Sequence, residues 1–294
     1  MKEKPLSHPL ICTPAKAGRW EQTMITSDFH LHSNFSSDSQ APMEQMIEQA
    51  IRLGLKKLCF TDHMDYDYPT LSNLNFVFDC NEYTKKLTEL KERYKSQIEV
   101  LTGIELGLQP HLGDRLSTLV QSYPFDFIIG STHVVDLYDP YFLAYWQGKT
   151  EEEGILEYFQ AILNNSRAFH DFHVFGHIDY IVRYAPAQAA GTLEYSYLKY
   201  ADILDEVLKT IISLGKGLEV NTAGYKYGLG HAHPKADVLL RYKELGGELI
   251  TIGSDAHKPE HLGYDFPRAE EMLKSLGFKY YATFSKGKPI FEKL

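Results

Sequence analysis

The sequence predicts an α/β fold in which parallel strands close, or nearly close, into a barrel of seven units. Three observations carry that expectation. Short apolar runs suited to strands alternate with amphipathic helical stretches along the chain. Such alternation implies a parallel sheet, since each return to the sheet needs a helical crossover. Residues able to hold a metal recur at the ends of the runs, where a barrel gathers its chemistry.

The first 23 residues, MKEKPLSHPLICTPAKAGRWEQT, lack the apolar core of a signal peptide and read as a loosely ordered extension. Residues 24–294 are expected to form a single barrel domain. Its first strand run is MITSDFHLH. Met43, Met46, Ile47, Ala50 and Ile51 then share one helical stripe ahead of the second run, LKKLCFTDH. A charged helix at about 80–97 precedes the third run, IEVLTGIEL, and the fourth, FDFIIGSTH, follows. A helix at about 151–169 leads to the fifth, HVFGHID. Leu204, Val207, Leu208, Ile211 and Ile212 form a stripe before the sixth run, KGLEVNTAG; the seventh is GELITIGSDAH. Four helices are expected to close on a Leu-Gly pair, at 53–54, 214–215, 245–246 and 276–277, because glycine accepts the left-handed conformation that ends a helix.

Composition narrows the function classes. The chain has 294 residues, 44% apolar and 23% charged, enough for a large core. Its net charge of −9 with no basic tract argues against nucleic acid as a partner. An anionic substrate stays open, because bound cations reverse the sign locally. Cys12, Cys59 and Cys80 are irregularly spaced, which argues against a disulfide framework and for a reducing, cytoplasmic setting. No apolar run approaches the ~20 residues that span a bilayer, so no membrane partner is expected. Thirteen histidines are many, and several cluster where apolar runs end.

The first run ends in His30 and His32, which face one side of an extended strand. The second ends in His63, the third in Glu105, the fourth in His133, the fifth in His177, and the seventh in Asp255 and His257. The sixth ends in an amide, Asn221. A lone strand-end histidine is ordinarily a hydrogen-bonded core residue. Six runs of seven ending this way make a converging metal site the better reading. Glu105 among apolar neighbours is costly unless it meets a cation. Asp28, Asp62 and Asp179 lie within two residues of these candidates, and either orient imidazoles or cap local turns. His8, His111, His170, His173 and His261 read as structural or surface residues. His231 and His233 line a substrate rim or belong to a polar loop.

DFHLHS, Asp38 in SSDS, FTDH, GIEL, GSTHVV, GHIDYIVRY and GSDAH resemble the successive motifs of the PHP family, named for polymerase and histidinol phosphatase. The match runs from about residue 25 to the C-terminus. FTDHMDYDYP, STHVVDLYDPY and FKYYATFSKGKP resemble its monofunctional histidinol-phosphatase branch. The resemblance implies a distorted (β/α)7 barrel, similar to a TIM barrel, and a site for three divalent metal ions. One metal would take His30, His32, Glu105 and Asp255; a second Asp38, His63 and His257; the third Glu105, His133 and His177. Some members carry histidine where this chain has Asp38. Nitrogen and oxygen donors suit zinc, manganese or iron. Arg183 resembles the family's phosphate-clasping arginine, and Lys226 stands as a second cation for the phosphate.

Three divalent ions carry six positive charges, and Asp38, Glu105 and Asp255 return three, an excess suited to a phosphate dianion. In such a field the pKa of a bound water falls from about 15.7 toward about 7, making it a nucleophile for phosphorus. A metal-bound water or an aspartate such as Asp62 is available to protonate the leaving group. The expected reaction is hydrolysis of a small phosphomonoester, L-histidinol phosphate by resemblance, with an acidic residue such as Asp136 near the rim for the amine. An amidohydrolase-like enzyme fits less well, because its fourth strand ends in lysine or glutamate where this chain has His133. Another small phosphate, or nucleic-acid ends, is the remaining alternative, and the latter lacks a basic groove.

Overall fold

The computed structural model describes residues 23–69 and 74–294. The expected extension therefore lies, except for Thr23, outside the described residues, as do Cys12 and His8. The strands are β1 (Ser27–Asp28), β2 (Lys57–Phe60), β3 (His63–Met64), β4 (Glu99–Gly107), β5 (Phe127–Ser131), β6 (Val174–Phe175), β7 (Gly217–Asn221), β8 (Ile250–Gly253), β9 (Tyr280–Ser285) and β10 (Lys288–Lys293). β1, β2, β4, β5, β6, β7 and β8 pair in that order, every neighbour parallel. Short β3 prolongs the line of β2 and places His63 beside Glu105 of β4.

The ring closes without a ladder. Phe29 N–H donates to the Ile252 carbonyl (3.1 Å), Asp255 N–H to that of His30 (2.7 Å), and His32 N–H to that of Ala256 (2.9 Å). One parallel bridge joins Leu31 to Ala256. The pairing of β1 stops at Asp28, so the chain escapes strict alternation there. Phe29 joins the lower interior, while His30, the next residue, meets Glu105 and Glu219 in the upper interior.

The helices form for local reasons. Glu151–Ala168 opens on a capping box between Thr150 and Glu153, and Cys80–Tyr94 opens on the Asp79 carboxylate, which accepts from the N–H groups of Asn81 and Glu82. Met43–Arg52 buries Met43, Met46, Ile47 and Ala50 of the predicted stripe, and Ile51 is half-buried. All four Leu-Gly closures hold, with φ of +78°, +68°, +92° and +81° at Gly54, Gly215, Gly246 and Gly277. Beyond the seventh run, where periodicity predicts no strand, β9 and β10 form an antiparallel hairpin. It seals the N-terminal mouth: Ala282 and Phe284 pack against Phe29, Cys59, Leu101, Phe127, Ile129 and Val174. No helix of the described residues is long and apolar enough to cross a membrane.

Candidate metal centre

Alternate residues of each strand enter the barrel, and their polarity changes with height. Leu101, Gly103 and Glu105 of β4 run from apolar to acidic, and Cys59, Thr61 and His63, from β2 to β3, run from apolar to imidazole. Close packing at mid-height demands glycine. A Cβ on Gly253 would lie 2.3 Å from the His30 Cβ and 2.7 Å from Glu219 Oε1. The absence of a side chain there leaves room for two buried polar groups to meet.

Glu105, fully buried, is the hub. Its Oε2 lies 2.8 Å from His63 Nδ1, 3.2 Å from His30 Nε2 and 3.6 Å from His32 Nε2. Its Oε1 faces His177 Nε2 at 3.0 Å and His133 Nε2 at 3.2 Å, and accepts from Ser131 Oγ at 2.7 Å. Asp255 Oδ1 stands 3.3 Å from His32 Nε2 and 3.9 Å from His30 Nε2. Asp38 Oδ2 stands 3.0 Å from His257 Nε2 and 3.7 Å from His63 Nε2. The ring of His32 is stacked between those of His63 and His257, each 4.1 Å away. The eight strand-end candidates and Asp38 thus converge.

These contacts fit cations better than they fit one another. Glu105 Oε2 and His63 Nδ1 are buried and close, yet neither makes an aligned hydrogen bond. The two Nε2 atoms of His30 and His32 are 3.1 Å apart, a pairing that needs a proton or a cation between two lone pairs. Four overlapping trios bring ligand atoms within 4.8 Å of one another: His32, His63 and His257; His30, His32 and Asp255; His30, Glu105 and His177; His63, Glu105 and His133. Overlap means adjacent ions rather than isolated ones. The donor set, imidazole and carboxylate without thiolate, suits zinc, manganese or iron.

The electrostatics agree. Burial opposes ionisation of Glu105 and Asp255, but the surrounding imidazoles outweigh it and hold both carboxyls well below their usual range. Burial alone would keep His30 neutral; Glu219, Glu105 and Asp255 raise it instead. Burial, with His257 and His63 beside it, drives His32 far down, leaving a neutral imidazole suited to ligation.

Residues missed by sequence reading hold the candidates in place. Glu219 Oε1 meets His30 Nδ1 at 2.5 Å, and its Oε2 accepts from the N–H of His177 at 3.0 Å. Asp65 Oδ2 meets His133 Nδ1 at 2.7 Å. Partnering the far nitrogen of an imidazole fixes which nitrogen faces the site. His177 and Asp255 have φ of +23° and +52°, unfavourable for residues with a side chain. Glu219 holds the first through its N–H, and Lys226 Nζ holds the second, donating to the Asp255 carbonyl at 2.9 Å.

Other expectations are corrected. Asp28 touches no imidazole; it accepts from the N–H groups of His30, Ser254 and Gly263 and from Ser254 Oγ, and so locks the barrel seam. Asp62 reaches His32 only through Ser36, whose hydroxyl it accepts at 2.8 Å and whose Oγ lies 3.2 Å from His32 Nδ1. Committed also to Ser33 and fully buried, Asp62 does not reach the cavity as a general acid. Asp179 holds the imidazole of His233 at 2.5 Å rather than that of His177. His231 and His233 are not among the residues lining the cavity, nor is Lys226.

A cavity of about 460 Å³ opens above the cluster. His63, His133, His177, Asp255 and His257 reach its floor, and Arg183 stands in its wall, its guanidinium carbon 3.3 Å from the centre of the Tyr227 ring. His261, read as structural or surface, lines it too, carried there by the turn Pro259–His261. Asp136 does not: it is exposed, with φ of +47°, and the acid of that loop that lines the cavity is Asp139.

Residues 28–223 match the PHP domain family model. The histidinol-phosphatase of Lactococcus lactis is 32% identical over 266 residues, 88% of this chain and 94% of that protein. A protein of Clostridium acetobutylicum named probable histidinol-phosphatase is 34% identical over 257 residues, 86% of this chain and 94% of that one. The crystal structure of the Lactococcus lactis histidinol phosphate phosphatase, complexed with zinc, L-histidinol and phosphate, superposes with a TM-score of 0.81 at 31% identity, covering 90% of this chain and 98% of that one.

Proposed function

From the premise that the chain belongs to the PHP domain family, we propose that it is a metal-dependent phosphatase whose substrate is L-histidinol phosphate, releasing L-histidinol and phosphate. The observation that carries this reading is the position of Glu105. One of its oxygens faces His30, His32 and His63, and the other faces His133 and His177, beneath the floor of a cavity whose wall holds an arginine.

The proposed ligands are His30, His32, Glu105 and Asp255 for one ion, Asp38, His63 and His257 for a second, and Glu105, His133 and His177 for a third. Bound divalent ions supply Lewis-acid activation of water and neutralise charge on the phosphoryl oxygens. The protein's own part is positional. Glu219 and Asp65 fix the orientation of His30 and His133, so nitrogen lone pairs meet the ions without reorganisation. Arg183 offers a forked donor to phosphate, and its stacking on Tyr227 limits its freedom before the substrate arrives. Lys226 serves the loop of Asp255 rather than the phosphate. Two buried free thiols, Cys59 and Cys80, and the acidic balance support a cytoplasmic enzyme acting on small molecules rather than nucleic acid.

Purified protein should release phosphate from L-histidinol phosphate, stop when treated with a chelator, and recover on adding back zinc or manganese. Metal-replete protein inert toward this ester but active on other phosphates would refute the substrate and keep the chemistry. Inertness toward every phosphate ester would refute both.

A further inference from the structure

β7 is the strand of the ring that gives the proposed ligand set nothing, and it ends in the amide of Asn221. That side chain is fully buried. Its Oδ1 accepts the N–H of Ala223 at 2.9 Å, which fixes the orientation of the amide and turns Nδ2 toward the cluster. The two hydrogens of Nδ2 have two acceptors, Glu219 Oε2 and Asp255 Oδ2, each at 3.3 Å. The remaining oxygens of those carboxylates face imidazoles. Glu219 Oε1 meets His30 Nδ1 at 2.5 Å, and Asp255 Oδ1 stands 3.3 Å from His32 Nε2 and 3.5 Å from His257 Nδ1. Asn221 thus links a carboxylate that orients a histidine to a carboxylate of the proposed ligand set.

The end of β7 is built onto the end of β8 at two further points. Thr222 N–H donates to the Gly253 carbonyl at 2.9 Å, and Lys226 Nζ to that of Asp255, also at 2.9 Å. On its other side the backbone of Asn221 exchanges both hydrogen bonds with that of His233, at 2.7 and 2.8 Å. That anchor does not depend on the side chain.

We propose that Asn221 is a positioning residue of the metal centre, its amide tying Asp255 Oδ2 to Glu219 so that Asp255 turns Oδ1 alone to the imidazoles. The inference rests on the ligand set proposed above, in which Asp255 serves the ion of His30, His32 and Glu105. An apolar side chain here would leave two buried acceptors unpaired and two carboxylates facing each other. An aspartate has the same shape, but once ionised it only accepts, and it would set a third carboxylate against two. An amide is the group that fits, which is why this strand, unlike its neighbours, ends in neither histidine nor acid. Asn221 acts through Asp255 and touches no substrate.

The test reads metal binding rather than turnover, on the full-length protein, with zinc in competition against a chromophoric chelator and with cobalt(II) followed by its visible absorption. Asn221→Leu keeps the volume and removes both donors; Asn221→Ser gives up volume and keeps one donor. Asn221→Leu should weaken one bound zinc ion about 10- to 100-fold and shift the cobalt spectrum. In the zinc-loaded protein kcat should fall with it, while KM moves less than about threefold. Asn221→Ser should lie between Asn221→Leu and wild type. The proposal is overturned if Asn221→Leu keeps wild-type zinc affinity and cobalt spectrum, or if Asn221→Ser binds more weakly than Asn221→Leu, the order that packing alone gives. Should Asn221→Leu not fold, Asn221→Ser decides: an unchanged cobalt spectrum overturns the proposal and a shifted one supports it. Turnover separates this from the substrate assignment. A wild type that binds zinc yet does not hydrolyse L-histidinol phosphate loses its proposed substrate and leaves this inference to the metal measurements; one that binds no divalent ion loses both.

Discussion

At the N-terminal mouth of the barrel, Leu101, Phe127, Ile129 and Val174 meet Phe284 from the hairpin in an apolar cluster. Higher in the barrel, Glu105 of β4 and Glu219 of β7 are fully buried among imidazoles. The backbone rule is common to both ends, one side chain in two facing inward, but the energetics are opposed. Apolar burial at the lower end is favourable at about 25 cal/mol per Å². Burying charges at the upper end costs several kcal/mol per ion unless partners compensate. The upper end also carries positive φ at His177 and Asp255. A sealed, stable base therefore supports a destabilised rim, and substitutions at the two ends should fail in different ways.

The largest effect should come from Glu105→Gln. It removes the charge that both sides of the cluster share, so on the proposed ligand assignment phosphatase activity should fall about 10³-fold or more, several kcal/mol at 1.36 kcal/mol per decade. Metal content by elemental analysis should fall with it, while the circular dichroism of the fold stays. Near-normal activity with full metal loading would remove Glu105 from the centre of the site.

The converse change is Phe284→Ala. Phe284 is 2% exposed and lies 5.0 Å from the ring of Phe127 and 4.8 Å from that of His173. Truncation should cost about 3 kcal/mol of stability, within the range for buried phenylalanine, read as a lower denaturation midpoint. Activity per folded molecule should stay near wild type. If kcat falls as steeply as stability, the two mouths are coupled and their division of labour is wrong.

The contrast also explains what was legible in the sequence. Strand–helix alternation, the Met43–Ala50 stripe and the Leu-Gly closures were readable because period and glycine stereochemistry are local. Eight of the nine candidates were readable because each ends an apolar run, whereas Asp38 came only from the resemblance of SSDS to a family motif. Asp65 and Glu219 were missed although spacing of two places them beside His63 and Asn221 on one face, so strand alternation could have found both. Asp136 and Asp139 were indistinguishable by pattern. The positive φ at Asp136 and Leu137, +47° and +70°, turns the loop so that the later aspartate faces the cavity. His261 and Asp28 were misread for a related reason: loop and seam geometry depends on contacts made across the barrel.

A smaller effect sharpens the picture of the lower mouth. The Asp126 carboxylate accepts from Lys91 Nζ at 2.8 Å and from the N–H groups of Thr102 and Lys286 at 3.0 Å each, tying the hairpin to the start of β5. Burial pushes its carboxyl up, but Lys91 and those N–H groups outweigh burial and hold it below the ordinary range. A folded pKa below the unfolded value of about 3.9 means that protonation favours the unfolded chain. The contribution is therefore complete above that value and fades as pH falls through the lower, folded one. Asp126→Asn should cost about 1–2 kcal/mol at neutral pH, the scale of hydrogen bonds to a charged group. The gap between wild type and variant in denaturant midpoint should narrow in strong acid. Comparing the two proteins at each pH cancels the titration of the upper cluster, which both share. A gap that stays constant from pH 7 into strong acid would mean that packing of the hairpin, rather than the charge of Asp126, closes the base of the barrel.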